Sequence, residues 1–173
     1  MISADRIPIY LNGRTDKYIC LGPTLERTDK DLITAYFKEN NIRYALNVAS
    51  ECQFPYEHLP HITYKKISLD DGLQENLLPY IDEAHAFLDF ALANGSSVYL
   101  NCVMGVSRSV SILTSYIMKV NDCKFIDALN HIIKIRYVAR PNHNFANQLM
   151  TYQLNLTNKL INPLAINQLA INQ

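Results

Sequence analysis

Apolar and polar residues follow two rhythms along this chain: short apolar runs of strand length, and longer stretches in which apolar residues return every three or four positions. The short runs near residues 7–10, 18–21, 43–48, 62–67 and 97–101 predict strands. Leu77 to Ala93 repeats at helical spacing, and Asn94-Gly95 after it is a strong stop. Thr28 followed by Asp31 predicts the N-cap of an earlier helix that ends around Asn40-Asn41, and further helices are expected near 107–120, 124–135 and 142–160. Strands interleaved with helices predict a single α/β domain. The expected form is a three-layer sandwich, with a largely parallel central sheet of about five strands flanked by helices.

Composition narrows this picture. A chain of 173 residues is one domain by size, and 49% hydrophobic content gives ample material for its core. Sixteen basic residues balance sixteen acidic ones, which removes any general electrostatic case for binding nucleic acid or a membrane surface. A partner must be recognised locally. The four cysteines have no regular spacing, so a reducing compartment is expected and a disulfide framework is not. His58-x-x-His61 lies near Cys52 but lacks helical context and a regularly placed third ligand, so no metal site is expected. The opening MISADRIPIY carries no signal-like apolar core and no glycine at its second position, and no apolar run reaches spanning length, so the cytoplasm or nucleus is expected. Beyond about Thr151 the chain turns rich in asparagine and leucine, and it closes on a tandem LAINQ repeat at 164–168 and 169–173. Pro163 is expected to end or kink the preceding helix. The division that follows is a domain over 1–154 and a tail over 155–173 without assigned chemistry.

The most informative segment is Asn101 to Ser109, NCVMGVSRS. It sets Cys102 at the end of an apolar strand and Arg108 six positions later, at the start of a helix. Unpaired N–H groups and the positive end of a helix dipole favour an anion there. Gly105 lets the turn close without a clashing side chain. A phosphate monoester is a dianion, so a negative nucleophile needs local positive potential before it can approach. Arg108 offers a planar, permanently charged fork for two phosphate oxygens. The amides of Val103, Met104, Gly105, Val106 and Ser107 are candidates for the remaining oxygens, both in the bound ester and in the transition state. Cys102 is then the candidate nucleophile and Ser109 a hydrogen-bond donor to its sulfur.

This segment resembles the signature loop of the cysteine-dependent protein tyrosine phosphatases and, within them, the dual-specificity phosphatases of small atypical type. Other pieces agree in order over residues 7–154. Tyr18 to Gly22 and Ala45 to Val48 resemble the family's early strands, Ser115 to Met118 its helix after the loop, and Arg140-Pro141-Asn142 the start of its last helix. Ile67-Ser68-Leu69-Asp70-Asp71 resembles the segment that carries the general acid. The resemblance implies that Asp71, on a mobile loop, protonates the leaving oxygen and then activates water. The reaction it implies passes through a phosphocysteine intermediate without metal or cofactor, on phosphotyrosine and phosphoserine or phosphothreonine of a protein substrate. It also places Arg136 near a position where some relatives keep a basic residue for a second phosphate, with a solvated helix-end arginine as the plainer reading.

One position departs from the family. Its members nearly always carry histidine immediately before the cysteine, where this chain has Asn101. That histidine helps to hold the loop and activate the thiol, so two readings follow: a phosphatase of reduced activity, or a weak or inactive relative that binds phosphorylated partners. Some relatives protect the reactive cysteine through a nearby one, and whether Cys52 does so for Cys102 is open, as is the oligomeric state.

Overall fold

The structure, a computed structural model, describes residues 1–11, 14–53 and 59–171. His58 lies outside them. Five strands, β1 (Asp5–Leu11), β2 (Arg14–Gly22), β3 (Ile42–Asn47), β4 (Thr63–Lys66) and β5 (Ser97–Asn101), form one sheet in the order β1-β2-β5-β3-β4. Among the described residues only the β1–β2 pairing is antiparallel; β2 with β5, β5 with β3 and β3 with β4 run parallel. This is the predicted α/β sandwich.

Among the described residues five helices complete the layers: α1 (Lys30–Glu39), α2 (Leu78–Ala93), α3 (Arg108–Asn121), α4 (Phe125–Ile133) and α5 (His143–Ile171). Successive strand residues point to opposite faces, and the core divides accordingly. Ile19, Leu21, Leu46, Val98 and Leu100 pack toward α2 through α5. Cys20, Ala45 and Tyr99 face the other way, onto Ile33 and Phe37 of α1. Phe37 is almost fully covered, a burial worth about 2 kcal/mol. β5 is buried at every position, as expected for a central strand of a sheet covered on both faces.

β2 starts at Arg14, four residues ahead of the sequence expectation, and two helix ends also differ from it. The cap of α1 is Asp29 and not Thr28: the Asp29 carboxylate accepts from the backbone N–H groups of Asp31 and Leu32 at 3.0 and 3.2 Å. Both residue types cap helices, and the Thr28 N–H is used in a turn onto the Leu25 carbonyl, which starts the helix one position later. Helix α5 continues to Ile171, so Pro163 lies within it and does not end it. The tail's leucines and alanines are strong helix formers and continue the pattern set by the preceding turns. Among the described residues, no helix is long and apolar enough to cross a membrane.

Candidate active site

At its carboxyl end β5 places Asn101 between Gly22 of β2 and Asn47 of β3, so the chain leaves the sheet at its centre. In open α/β sheets this end of the strands is where ligands bind. The next residue is Cys102, 2% exposed, and the loop runs from it to the first turn of α3 at Arg108. Gly105 adopts φ +65°, and a Cβ there would stand 2.4 Å from the Gly22 carbonyl oxygen. Only glycine allows both that backbone angle and that approach.

The loop is held from outside by its carbonyls. Val103 O accepts from the Thr24 N–H at 3.0 Å, and Val106 O accepts from the Arg140 N–H at 2.8 Å. Arg136 donates Nε to Gly105 O at 2.7 Å and Nη2 to Met104 O at 3.2 Å, while its Nη1 pairs with Asp5 at 2.6 Å. Carbonyls drawn outward leave the loop N–H groups as the donors for an anion inside the turn. Arg136 is 5% exposed. It is therefore neither a solvated helix-end residue nor a contact for a second phosphate; its guanidinium is spent on the loop carbonyls and on Asp5.

Cys102 Sγ accepts a hydrogen bond from Ser109 Oγ at 3.3 Å. Arg108 reaches under the same loop, 4% exposed. Its end is already occupied: Nη1 and Nη2 donate to the two carboxylate oxygens of Glu51 at 2.6 and 2.8 Å, and Nη1 also donates to Leu69 O at 3.1 Å. The hydrogen bonds from Arg108 hold the Glu51 carboxyl down at a pKa of about 2. An arginine carries five N–H donors. Those remaining are Nε–H and the second Nη2–H, which lie together on one edge of the guanidinium. Nε is buried and has no hydrogen-bond partner among the described residues; Asp71 Oδ2 is nearest in charge, at 3.7 Å.

Asp71 comes to the site on the segment between β4 and α2. Its Oδ1 accepts from Ser107 Oγ and from Asn142 Nδ2, both at 2.7 Å, which leaves Oδ2 on the Arg108 side. The segment is pinned along its length by α5. Asn144 Nδ2 donates to Gly72 O and Glu75 O at 3.3 and 2.7 Å, and Gln148 donates to Glu75 O and accepts from the Leu77 N–H, both at 2.7 Å. In this structure the acid-bearing segment is docked onto the body. Asp70 is turned away and accepts from Ser50 Oγ.

These groups enclose a cavity of about 210 Å³, lined by the loop from Cys102 to Arg108 together with Glu51 and Asp71. Cys102, Arg108, Ser109 and Asp71 are thus brought together. Asn101 is buried beneath them, its Nδ2 3.4 Å from Cys102 O and its Oδ1 without a partner among the described residues. Cys52 is buried on the loop after β3 as a free thiol whose pKa burial raises. Sequence reasoning missed Glu51, Asn142 and the side-chain role of Ser107. Asn142 alone left a signal, as the cap of α5: its Oδ1 accepts from the Phe145 N–H at 2.8 Å. Glu51 lies 57 positions from Arg108 on an irregular loop, where no spacing rule operates.

The family described as dual specificity phosphatase, catalytic domain, matches residues 27–155. Human protein phosphatase Slingshot homolog 3 is 38% identical over 120 residues, covering 69% of this chain but 18% of that protein. Arabidopsis thaliana dual specificity protein phosphatase 1B is 34% identical over 133 residues, 77% of this chain and 76% of that protein. Among solved structures, a mouse putative dual specificity phosphatase complexed with zinc tungstate superposes with a TM-score of 0.77 at 23% identity, covering 93% of this chain and 92% of that one. The human tyrosine phosphatase-like serine/threonine/tyrosine-interacting protein has the same fold, with a TM-score of 0.73 at 22% identity over 87% and 95%. On the match over 27–155, the chain belongs to the dual specificity phosphatase catalytic-domain family.

Proposed function

We propose that this chain hydrolyses phosphate monoesters of tyrosine and of serine or threonine in proteins, with Cys102 as nucleophile. The observation that carries this reading is the state of Arg108: its end is fixed by Glu51 and Leu69 O, and its side edge, with a buried Nε that has no hydrogen-bond partner among the described residues, is left for two oxygens of a phosphate. A buried donor without an acceptor costs free energy that a bound anion recovers.

The steps follow from the positions. The phosphate sits in the loop, with two oxygens on Arg108 and the rest on the amides of residues 103–107. Cys102 Sγ, as thiolate, forms a bond to phosphorus while the ester P–O bond breaks. The leaving oxygen takes a proton from Asp71, whose Ser107 and Asn142 contacts aim it across the cavity. Water then attacks the phosphocysteine and gives its proton to the Asp71 carboxylate; the S–P bond breaks, and Ser109 Oγ stabilises the departing thiolate by its hydrogen bond.

Asn101 tunes the rate. An asparagine can donate and accept as histidine does, but here its side-chain oxygen is buried without a partner among the described residues. Such a loop is less firmly organised around the thiol. The catalytic unit is taken as residues 1–154, with 155–173 outside the chemistry. The test is hydrolysis of an aryl phosphate and a phosphotyrosine peptide between pH 5 and 8, with Cys102→Ser as blank and Asn101→His alongside. The reading expects turnover that vanishes in the first variant and rises in the second. A wild type equal to the blank that still binds phosphopeptide would replace the enzyme with a phosphate-recognition domain.

A further inference from the structure

The segment that fixes the phosphate loop also carries apolar side chains into solvent. Arg136 to Ala139 forms a tight turn closed by the Ala139 N–H donating to Arg136 O at 2.9 Å, which makes Tyr137 and Val138 its corner residues. Corners of such turns are ordinarily glycine, asparagine, aspartate, serine or proline, because those residues suit the backbone and are soluble. Here the corner holds an aromatic and a β-branched residue, Tyr137 87% and Val138 37% exposed. Neither corner residue has a positive φ, so the turn tolerates both without requiring either, and Tyr137 adds almost nothing to the core. A large aromatic side chain left in solvent without a folding benefit points to a recognition role.

The turn is tied to the phosphate loop on both sides. Arg136 before the corner binds the carbonyls of Met104 and Gly105, and Arg140 after it binds the carbonyl of Val106. Met104 is itself 68% exposed, and both Met104 and Val106 line the cavity that holds Cys102 and Arg108. Exposed apolar side chains thus stand both on the wall of the anion pocket and on the turn hydrogen-bonded to it. Exposed apolar side chains grouped beside a polar pocket are characteristic of a recognition surface.

We propose that Tyr137, with Met104 and Val138, is a specificity determinant that receives an aliphatic or aromatic side chain next to the phosphorylated residue of the substrate. The assignment rests on the preceding reading only in that the pocket holds a phosphorylated residue. The occupant follows from continuity: a chain whose phosphate lies in the loop must pass its neighbouring residues over the rim, and Met104 and Val106 present apolar surface there. Tyrosine and methionine suit this role, the first as a rigid contact surface and the second as an adaptable one.

The test measures binding of phosphotyrosine peptides to the Cys102→Ser protein, with leucine, serine or glutamate on both sides of the phosphotyrosine, and inorganic phosphate as the minimal probe. Leucine-flanked peptide is expected to bind about tenfold more tightly than serine-flanked peptide, near 1.4 kcal/mol. Tyr137→Ser in the same background should erase that preference while leaving inorganic phosphate binding unchanged, and as a single change it should leave aryl phosphate turnover intact. Equal affinity for all flanks, or a preference that survives Tyr137→Ser, overturns the assignment. Failure of every phosphopeptide to bind overturns it together with the pocket. Absent aryl phosphate hydrolysis with the flank preference intact sinks only the catalytic reading.

Discussion

The loop that would hold the phosphate and the segment that carries Asp71 meet in one cavity but are fixed in opposite ways. The loop is held through its backbone: Thr24, Arg136 and Arg140 bind its carbonyls from outside, and Gly105 seats it against Gly22. The acid segment is held by side-chain amides of Asn142 at the cap of α5 and of Asn144 and Gln148 within it, and by Ser107. The loop's tethers are two backbone N–H groups and a buried guanidinium, all fixed by the surrounding fold, so they set where its donors sit. Side-chain amide contacts are individually worth only about 1 kcal/mol, so they set orientation and can be broken one at a time. The contrast suits the chemistry: anion binding needs a rigid cradle, whereas the acid must give up and recover a proton and let substrate in and product out.

The first way to test this difference is to remove the chemistry and keep the cradle. Cys102→Ser should lower phosphopeptide turnover by at least about 10³-fold, as removal of a catalytic nucleophile does, while equilibrium dialysis still detects bound phosphate. A variant that loses binding as well would mean that the sulfur, and not the tethered backbone, organises the loop.

Breaking the cradle itself should cost stability as well as rate. Arg136→Met removes a buried cation and strips two loop carbonyls of their donor, an expected loss of about 3–4 kcal/mol, read as a lower urea midpoint together with weaker phosphate binding. A large fall in stability with phosphate binding intact would show that the loop does not depend on this tether.

A group outside both loops supplies the control. His85 of α2 is buried, contacts Ser115 Oγ at 2.9 Å, and is faced by the rings of Tyr116 and Tyr152 and by the charges of Asp82, Asp89 and Lys119. Burial chiefly, with help from Lys119, lowers its pKa to about 4 from an ordinary 6.5. Between those values the unfolded chain binds the proton and the folded one resists it, so stability is full above pH 6.5 and falls as the pH drops toward 4, by roughly 3 kcal/mol. His85→Gln should flatten that slope in urea titrations at pH 7 and 5 without altering the ratio of turnover between substrates.

The smallest change falls on the acid segment. Asn142→Ser keeps a helix-capping residue but removes the donor to Asp71. Turnover of phosphotyrosine peptide should fall about tenfold, and turnover of an aryl phosphate with a more acidic leaving group should fall much less, because that group departs without a proton. An equal loss on both substrates would place Asn142 in loop geometry and not in orienting the acid.

How much of this could be read in the sequence divides along the same line. The strands, the helices and the Cys102-to-Arg108 loop are local patterns of period, length and spacing, and the structure places them as expected. The capping residue of α1 moved by one because Thr28 and Asp29 compete for one position, and α5 ran past Pro163 because continuing helical pattern outweighed one proline. The contacts that organise the site are long-range pairs, Glu51 with Arg108, Asn142 with Asp71, and Arg136 with Gly105. None of them follows from a spacing, because each depends on how two loops distant in sequence approach one another. Arg136 shows the consequence: its charge was legible, and its burial, which decides its use, was not.

The most direct test of the central claim is to mix the protein with a phosphotyrosine peptide, quench within one turnover and examine Cys102 by mass spectrometry. The account predicts a phosphoryl group on Cys102 that accumulates and then decays in wild type, persists longer in Asp71→Asn, and never forms in Cys102→Ser. Turnover that proceeds with Cys102 unmodified, or that survives in Cys102→Ser, would contradict it.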